Sequence, residues 1–351
     1  MNISGKLVSD KSPVFFIADI AANHDGDINR AKDLIYLAAE SGADAAKFQH
    51  FQANTIVSDF GFKSLGKQIS HQSKWKKSVY EIYKDASVDL SWTEELKETC
   101  IKAKIPFFTT PYSLEVIDFI DKYVPAYKIG SGDITWLEII KKIAMKNKPY
   151  ILATGASDFT DVIRAVKCAL EINSELCLMQ CNTNYTASLD NFRFIHLNVL
   201  KTYKEMFPEL ILGLSDHTPG CSTVLGAVAL GAKMIEKHFT DDNNREGPDH
   251  LFSMNPKSWK NMVDRTRELE LALGTGIKKV EDNEKETVVL QRRSWRASRD
   301  FEENHLILDK DFEPLRPCPK DALMVFHSIK GKVLNRKIRK GDYLKIGDLN
   351  E

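Results

Sequence analysis

No two cysteines in this chain stand at CxxC spacing. Six of them (Cys100, Cys168, Cys177, Cys181, Cys221 and Cys318) are scattered through the sequence. That excludes a zinc ribbon, a thioredoxin-like motif and a dense disulfide framework, and reads as buried, reduced thiols of a cytoplasmic protein. Charge of one sign is missing too. Lys plus Arg equals Asp plus Glu at 49 each, so there is no global field to attract nucleic acid or an anionic membrane. An anionic ligand has to be held by local positive charge. Apolar runs stay far short of the ~18 residues that span a bilayer, and the N-terminal MNISGKLVSDKSPVFF lacks the apolar core of a signal peptide. No internal repeat, low-complexity tract, Ser-His-Asp triad or Cys-His pair can be placed. A cytoplasmic, soluble chain is expected, without nucleic-acid or membrane partners.

What is present is ordinary globular material in generous length. The 351 residues are 43% hydrophobic and 28% charged, enough for an ample core without metal or disulfide staples. Eight strand-like runs recur: FFIADIA (15–21), DAAKFQH (44–50), FFTTPY (107–112), AYKIGS (126–131), YILATG (150–155), LCLMQCN (176–182), LILGLSDH (210–217) and MIEKHFT (234–240). Amphipathic stretches at 29–41, 93–104, 136–146 and 161–172 lie between them, and Gly42 and Gly231 fall where helix C-caps belong. Continuous apolar strands suit a buried parallel sheet, and eight of them suit a (β/α)8 barrel, with a doubly wound sheet as the alternative.

The polar residues favour the barrel. Almost every strand run ends in a polar cluster: Asn23-His24, Lys47 with Gln49, Thr109-Thr110, Lys128 with Ser131-Gly132-Asp133, Thr154-Gly155, Ser215-Asp216-His217 and Glu236-Lys237-His238. A barrel gathers eight strand C-termini around one mouth, whereas an open sheet spreads them along a line. Residues 51–91 form a long insertion, helical near 75–84, of the kind that covers such a mouth. The charged stretch GIKKVEDNEKET (276–287) reads as a linker, and 292–351 as a small β-rich module.

Lys47, Lys128 and Lys237 sit in or at the ends of central strands, where an unpaired ammonium is costly. They read as an anion pocket completed by the Gly/Ser turns IGSGD (129–133) and ATGAS (153–157), against the blander reading of snorkelling lysines. His217 and His238 end adjacent strands ~4.8 Å apart, close enough to share one divalent ion or simply to hydrogen-bond. His250 reads as a further polar partner or an ordinary loop histidine. Cys181 reads as apolar filler in preference to a nucleophile.

ADIAANHDGD, GADAAKFQ, FFTTPY, YKIGSGD, ATGAS, GLSDHT, GAKMIEKHFT, GPDH and RRS occur in that order. Together they resemble the sialic acid synthases, which make N-acetylneuraminate and related nonulosonates from phosphoenolpyruvate (PEP) and an N-acylated hexosamine. The resemblance runs from about residue 15 to 348, and RRSWRASRDF…LRP…IKGKVLNRKIRKGDYL is similar to the small antifreeze-like (SAF) domain of that family. It implies a (β/α)8 barrel over 1–276, a linker over 277–290 and an SAF domain over 291–351.

The resemblance further implies catalytic positions at Asp19, Glu236, His217 and His238, with His217 and His238 holding a divalent metal, Mn²⁺ ahead of Mg²⁺ or Co²⁺. Lys47, Thr110, Lys128, Ser131, Gly132, Ser157 and Ser215 correspond to the PEP-holding set. Gln49, Tyr185, Asp249 and Arg316 correspond to the sugar side, with Arg316 reaching the partner's barrel in a domain-swapped homodimer. Two motifs depart from the family. Its usual AEIG is here Asp19-Ile20-Ala21 after Ala18, which retracts the carboxylate by one methylene, and its HCTxxYP is here QCNTNYT (180–186). The expected sugar is a hexosamine such as N-acetylmannosamine. Alternatives are a 2,4-diacetamido-trideoxyhexose, as in legionaminic- or pseudaminic-type synthases, a pyruvate-dependent metal aldolase, and a non-catalytic carbohydrate-binding barrel.

Overall fold

The computed structural model describes residues 1–66, 72 and 75–350, so 67–71, 73 and 74 of the expected insertion lie outside the described residues. The chain divides into two units, Met1–Gly274 and Thr275–Glu351. The first opens with a hairpin, β1 (Asn2–Ile3) and β2 (Lys6–Leu7). Eight parallel strands follow: β3 (Phe15–Asp19), β4 (Ala45–His50), β5 (Phe107–Pro111), β6 (Tyr127–Ile129), β7 (Tyr150–Ala153), β8 (Leu176–Cys181), β9 (Ile211–Asp216) and β10 (Met234–His238). Each pairs with its sequence neighbours, and β10 closes on β3 with Met234 opposite Phe15. The result is a closed (β/α)8 barrel, not a doubly wound sheet.

Strand side chains alternate between lumen and helix layer, as the two-residue pleat requires. Phe15, Ile17, Ala45, Phe108, Ile151, Cys177, Met179 and Met234 fill the lumen, where Ile3 and Val8 of the hairpin region join them. Phe16, Ala18, Phe48, Phe107, Tyr127, Leu152, Leu178 and Leu214 face outward into the layer beneath the helices. Helix Leu137–Ala144 buries Ile139, Ile140 and Ile143 in that layer, roughly 1.5–3 kcal/mol for each side chain withdrawn from water. Caps mark the helix boundaries. Asp158 accepts from the backbone N–H groups of Thr160 and Asp161 in a capping box, and Asn255 does the same for the helix that starts at Pro256. Gly42 and Gly231 take φ of 92° and 98° just past their helices, the left-handed cap that a side chain would strain.

Differences from the sequence expectations are local. The insertion carries helices Ala53–Ile56, Asp59–Ser64 and Val79–Ala86, the last beginning four residues later than its apolar pattern suggested because Ser78 and Glu81 form a capping box there. The stretch read as a linker, 276–287, falls within the second unit and contains the start of helix Lys285–Gln291. That unit pairs β11 (Ser294–Ala297) with β12 (Phe312–Leu315) and β13 (Val333–Leu334) with β14 (Leu349–Asn350). Its own core contains Phe301, Ile307, Phe312, Leu334, Ile338 and Leu344. Among the described residues no helix is long and apolar enough to cross a membrane.

Candidate active site

The polar end of the lumen is a cavity of about 400 Å³. Because only alternate residues face inward, register decides which polar groups meet. Asp19 lies opposite Lys47 on one side and His238 on the other, and Glu236 lies opposite Ser215. Lys47 Nζ donates to Asp19 Oδ2 at 2.6 Å, and Glu236 Oε1 lies 3.6 Å from Lys47 Nζ and 3.5 Å from Lys128 Nζ. All four groups are buried. Burial opposes the charge on Lys47, but Asp19 and Glu236 outweigh it and raise the pKa, so the ammonium persists. Buried ion pairs rarely repay their desolvation. An alternating Asp–Lys–Glu–Lys chain in a barrel mouth is therefore better explained by what it binds than by stability.

Asp19 is fully engaged. Oδ1 accepts from the Ala21 N–H at 3.1 Å, and Oδ2 also accepts from Gln49 Nε2 at 3.1 Å. Ala21 holds φ at 46°, in the left-handed region that the family's glycine would occupy without strain. Glu236 differs: its Oε2 is buried and has no hydrogen-bond partner. Around the lysines stand Thr110, Ser131, Gly132 and Ser215. Thr110 Oγ1 is 3.5 Å from Lys47 Nζ, and Ser131 Oγ accepts from the Gly155 N–H at 2.9 Å. Gly155 permits this approach, since a Cβ there would stand 2.5 Å from Thr183 Cγ2 and 2.9 Å from Ser131 Oγ.

His217 and His238 also face the cavity, ring centroids 5.3 Å apart. His217 Nδ1 donates to the Asn182 carbonyl at 2.9 Å, which leaves Nε2 with the lone pair in the neutral ring. His238 Nδ1 is buried without a partner, and burial, with His217 and Lys47 nearby, holds its pKa well below the usual histidine range. Burial opposes charge on His217 as well, but the Cys181 hydrogen bond outweighs it and raises the pKa. Two imidazoles beside carboxylates suit a divalent cation, which takes them in the neutral form and keeps several positions for substrate and water. Among the described residues no group of three or more His, Cys, Asp or Glu is arranged to hold a metal, so an enclosed structural site is not built here. Cys181 lines the same wall. Burial pushes its thiol up, but the His217 hydrogen bond more than offsets this and lowers the pKa.

Gln49, Tyr185, Asp249 and Asp133 line the same cavity, with Tyr185 4.4 Å from His217 between ring centroids. Burial raises the pKa of both Asp249 and Asp133 to about 6. Asp249 Oδ2 accepts from the Ala22 N–H at 3.2 Å, while Asp133 Oδ2 is buried without a partner. Above them the insertion supplies Phe51, Ile56, Trp75, Ile82, Tyr83 and Ala86, an apolar lid wall.

Three expected residues lie elsewhere. Ser157 does not line the cavity; its hydroxyl donates to Thr154 O at 2.7 Å and closes its own turn. Lys237 points the other way from Glu236 and His238 and, behind the strands, pairs with Asp216, so it is no part of the anion pocket. Arg316 belongs to the second unit, exposed, with Nε donating to Gln291 O at 2.7 Å. His250 is a buried loop histidine, 2.7 Å from Thr240 Oγ1 and 3.0 Å from Asp25 Oδ1. Asp133 went unselected although it stands inside IGSGD, and the lid was read as a helical insertion without any of its residues being singled out. The other thirteen expected positions share the one cavity.

Fold and site together define a (β/α)8 enzyme whose mouth combines a buried lysine pair, two carboxylates and paired imidazoles. The family model described as the NeuB family matches residues 34–278, and the chain belongs to that family. It is 36% identical to the N,N'-diacetyllegionaminic acid synthase of Legionella pneumophila, over 94% of this chain and 93% of that protein. It is 30% identical to the human N-acetylneuraminate-9-phosphate synthase, over 79% and 76% respectively. The crystal structure of an N-acetylneuraminic acid synthetase from Leptospira borgpetersenii superposes with a TM-score of 0.70 at 28% identity, covering 82% of this chain and 94% of that one. The chain is thus a condensing synthase of the nonulosonate class.

Proposed function

We propose that the enzyme condenses PEP with the open-chain aldehyde of an N-acylated amino sugar, releasing inorganic phosphate. The observation that carries this is the buried Lys47–Glu236–Lys128 chain lining one cavity with His217 and His238. PEP is a small trianion. Two ammonium groups shielded from bulk water, with the hydroxyls of Thr110, Ser131 and Ser215, give it charge-assisted contacts stronger than any surface pair. C3 of PEP attacks the aldehyde carbon and forms the C–C bond, while the former aldehyde oxygen takes up a proton. Water adds at C2; one of its protons passes through Glu236 Oε2, an unpartnered acceptor of the mouth, to the former aldehyde oxygen, and the other leaves with the phosphate. The tetrahedral centre then expels phosphate with C–O cleavage and leaves a 2-keto acid. A divalent cation, Mn²⁺ ahead of Mg²⁺ or Co²⁺, held by His217 and His238 would polarise the aldehyde oxygen as a Lewis acid. Asp19 holds Lys47 and Gln49 in place through Oδ2. Arg316 is read as completing the sugar side from the other chain of a homodimer.

The lid wall supports one sugar class over the other. N-acetylmannosamine carries hydroxyls at C4 and C6, and one that is buried against Phe51, Ile56, Ile82 or Ala86 without a partner costs about 1–3 kcal/mol. A 2,4-diacetamido-trideoxyhexose offers methyl groups instead. This favours the diacetamido sugar over the hexosamine expected from sequence, in line with the legionaminic acid synthase likeness. The test is phosphate release with PEP, Mn²⁺ and a panel of both sugar types. The diacetamido sugar should show a kcat/KM about ten-fold or more above N-acetylmannosamine. Preference for N-acetylmannosamine would discard the lid argument alone, and absence of phosphate with every sugar would discard the synthase reading.

A further inference from the structure

Phe252 is not among the cavity-lining residues, yet it packs on three rings that are: His217, His238 and Tyr185. It lies 4.9 Å from His238, 5.9 Å from His217 and 5.4 Å from Tyr185 between centroids, edge-on to both imidazoles at 68° and 75°. The two histidines are not held alike. His217 is aimed by its hydrogen bond to Asn182 O, the usual device by which a ligating imidazole is oriented. His238 has nothing equivalent: its nearest acidic oxygens are Asp19 Oδ2 at 3.6 Å and Asp249 Oδ2 at 3.8 Å, both beyond hydrogen-bond reach. Packing alone therefore sets its ring angle.

The chain fixes Phe252 more firmly than a loop residue requires. Asn243 Nδ2 donates to the carbonyls of His250 and Ser253 at 2.9 and 2.6 Å, and Ser253 Oγ donates to Asp249 O at 2.7 Å. Asn23 Nδ2 donates to Ser253 Oγ at 2.9 Å, and the Met254 N–H donates to His238 O at 2.8 Å. The short turn His250–Phe252 is thus tied from both sides to the end of β10. An aromatic edge held this rigidly leaves the imidazole one orientation that avoids a clash.

We propose that Phe252 is a positioning residue that aims the His238 ring into the mouth, in place of the hydrogen bond that His238 lacks. This rests on reading His217 and His238 as a divalent-metal pair. Phe252→Leu keeps an apolar filler but removes the planar edge, and Phe252→Tyr keeps the edge. Mn²⁺ binding to the metal-free enzyme, followed by the electron paramagnetic resonance of free Mn²⁺, separates the cases. The leucine variant should bind about ten-fold or more weakly, the tyrosine variant like wild type, and Phe107→Leu, a core control on the outer face, should lose stability without losing affinity. Phe252→Met repeats the measurement should the leucine variant not fold. Undiminished Mn²⁺ affinity in the leucine or methionine variant overturns the positioning role. Wild-type enzyme that fails to bind Mn²⁺ overturns the metal reading and this proposal with it, whereas phosphate release from the panel above tests the synthase reading separately.

Discussion

Asp133 shows how one residue links stability to substrate. Its carboxyl lies on the cavity wall with Oδ2 buried and unpaired, and burial raises its pKa from 3.8 to about 6 despite Lys128 nearby. The folded value is the higher one, so ionisation works against folding. The penalty is absent below about pH 4 and complete above about pH 6, and solvent screening holds it under an upper bound of about 3 kcal/mol. Asp133→Asn should therefore raise the melting temperature at pH 7.5 and leave it nearly unchanged at pH 4. The carboxylate is also the better acceptor for sugar hydroxyl or amide protons. The KM for the sugar should fall as pH rises through about 6, and the Asn variant should show a smaller inflection, that of Asp249 alone. An unaltered pH profile in the variant would remove Asp133 from the sugar site.

At the scale of the element, the two-residue pleat explains both what the sequence revealed and what it concealed. Continuous apolar runs marked all eight strands because parallel barrel strands are buried on both faces. Runs do not say which face a polar residue takes, so Lys237 was grouped with Lys47 and Lys128 although its neighbours Glu236 and His238 claim the lumen face. Its partner Asp216 also accepts from Thr223 Oγ1 at 2.7 Å and from Thr218 Oγ1 at 2.9 Å, a network behind the strands that anchors the turn after β9. Lys237→Met should destabilise the barrel by roughly 3–5 kcal/mol, because it leaves the Asp216 charge buried and unpaired. The folded fraction should keep its KM for PEP. Lys128→Ala should do the reverse, raising the KM for PEP about ten-fold or more with a smaller effect on the sugar. Equal effects of the two variants on PEP would contradict the two-face assignment. The lid was legible only in part. The pattern near 75–84 marked the helix Val79–Ala86, but Ala53–Ile56 and Asp59–Ser64 are too short to show a period, and Phe51 and Ile56 reach the cavity as isolated side chains. Phe252 was silent for a related reason, since an aromatic in a loop carries no polar signal.

For the whole molecule the open question is what closes the mouth. The cavity lining comes wholly from Met1–Gly274, whereas Arg316 stands in the second unit with its guanidinium exposed. Among the described residues Nε alone is engaged, on Gln291 O, and both terminal nitrogens remain for a directional grip on hydroxyl or N-acyl oxygens. A surface arginine with that freedom has no structural duty that would make its loss costly. We propose that it serves the barrel of a second chain, which makes each active site a joint product of two copies. Arg316→Ala and His238→Ala chains should then each be inactive alone, with melting temperatures close to wild type. Mixed and allowed to exchange subunits, they should recover activity. A heterodimer holds one barrel with intact imidazoles facing an intact Arg316, so random pairing into half heterodimers restores about a quarter of the wild-type sites. Recovery must also follow the exchange time course, because a monomer acting alone cannot gain from mixing. Mixtures that stay inactive while exchanged wild-type controls keep full rate would return Arg316 to its own chain or to no catalytic role.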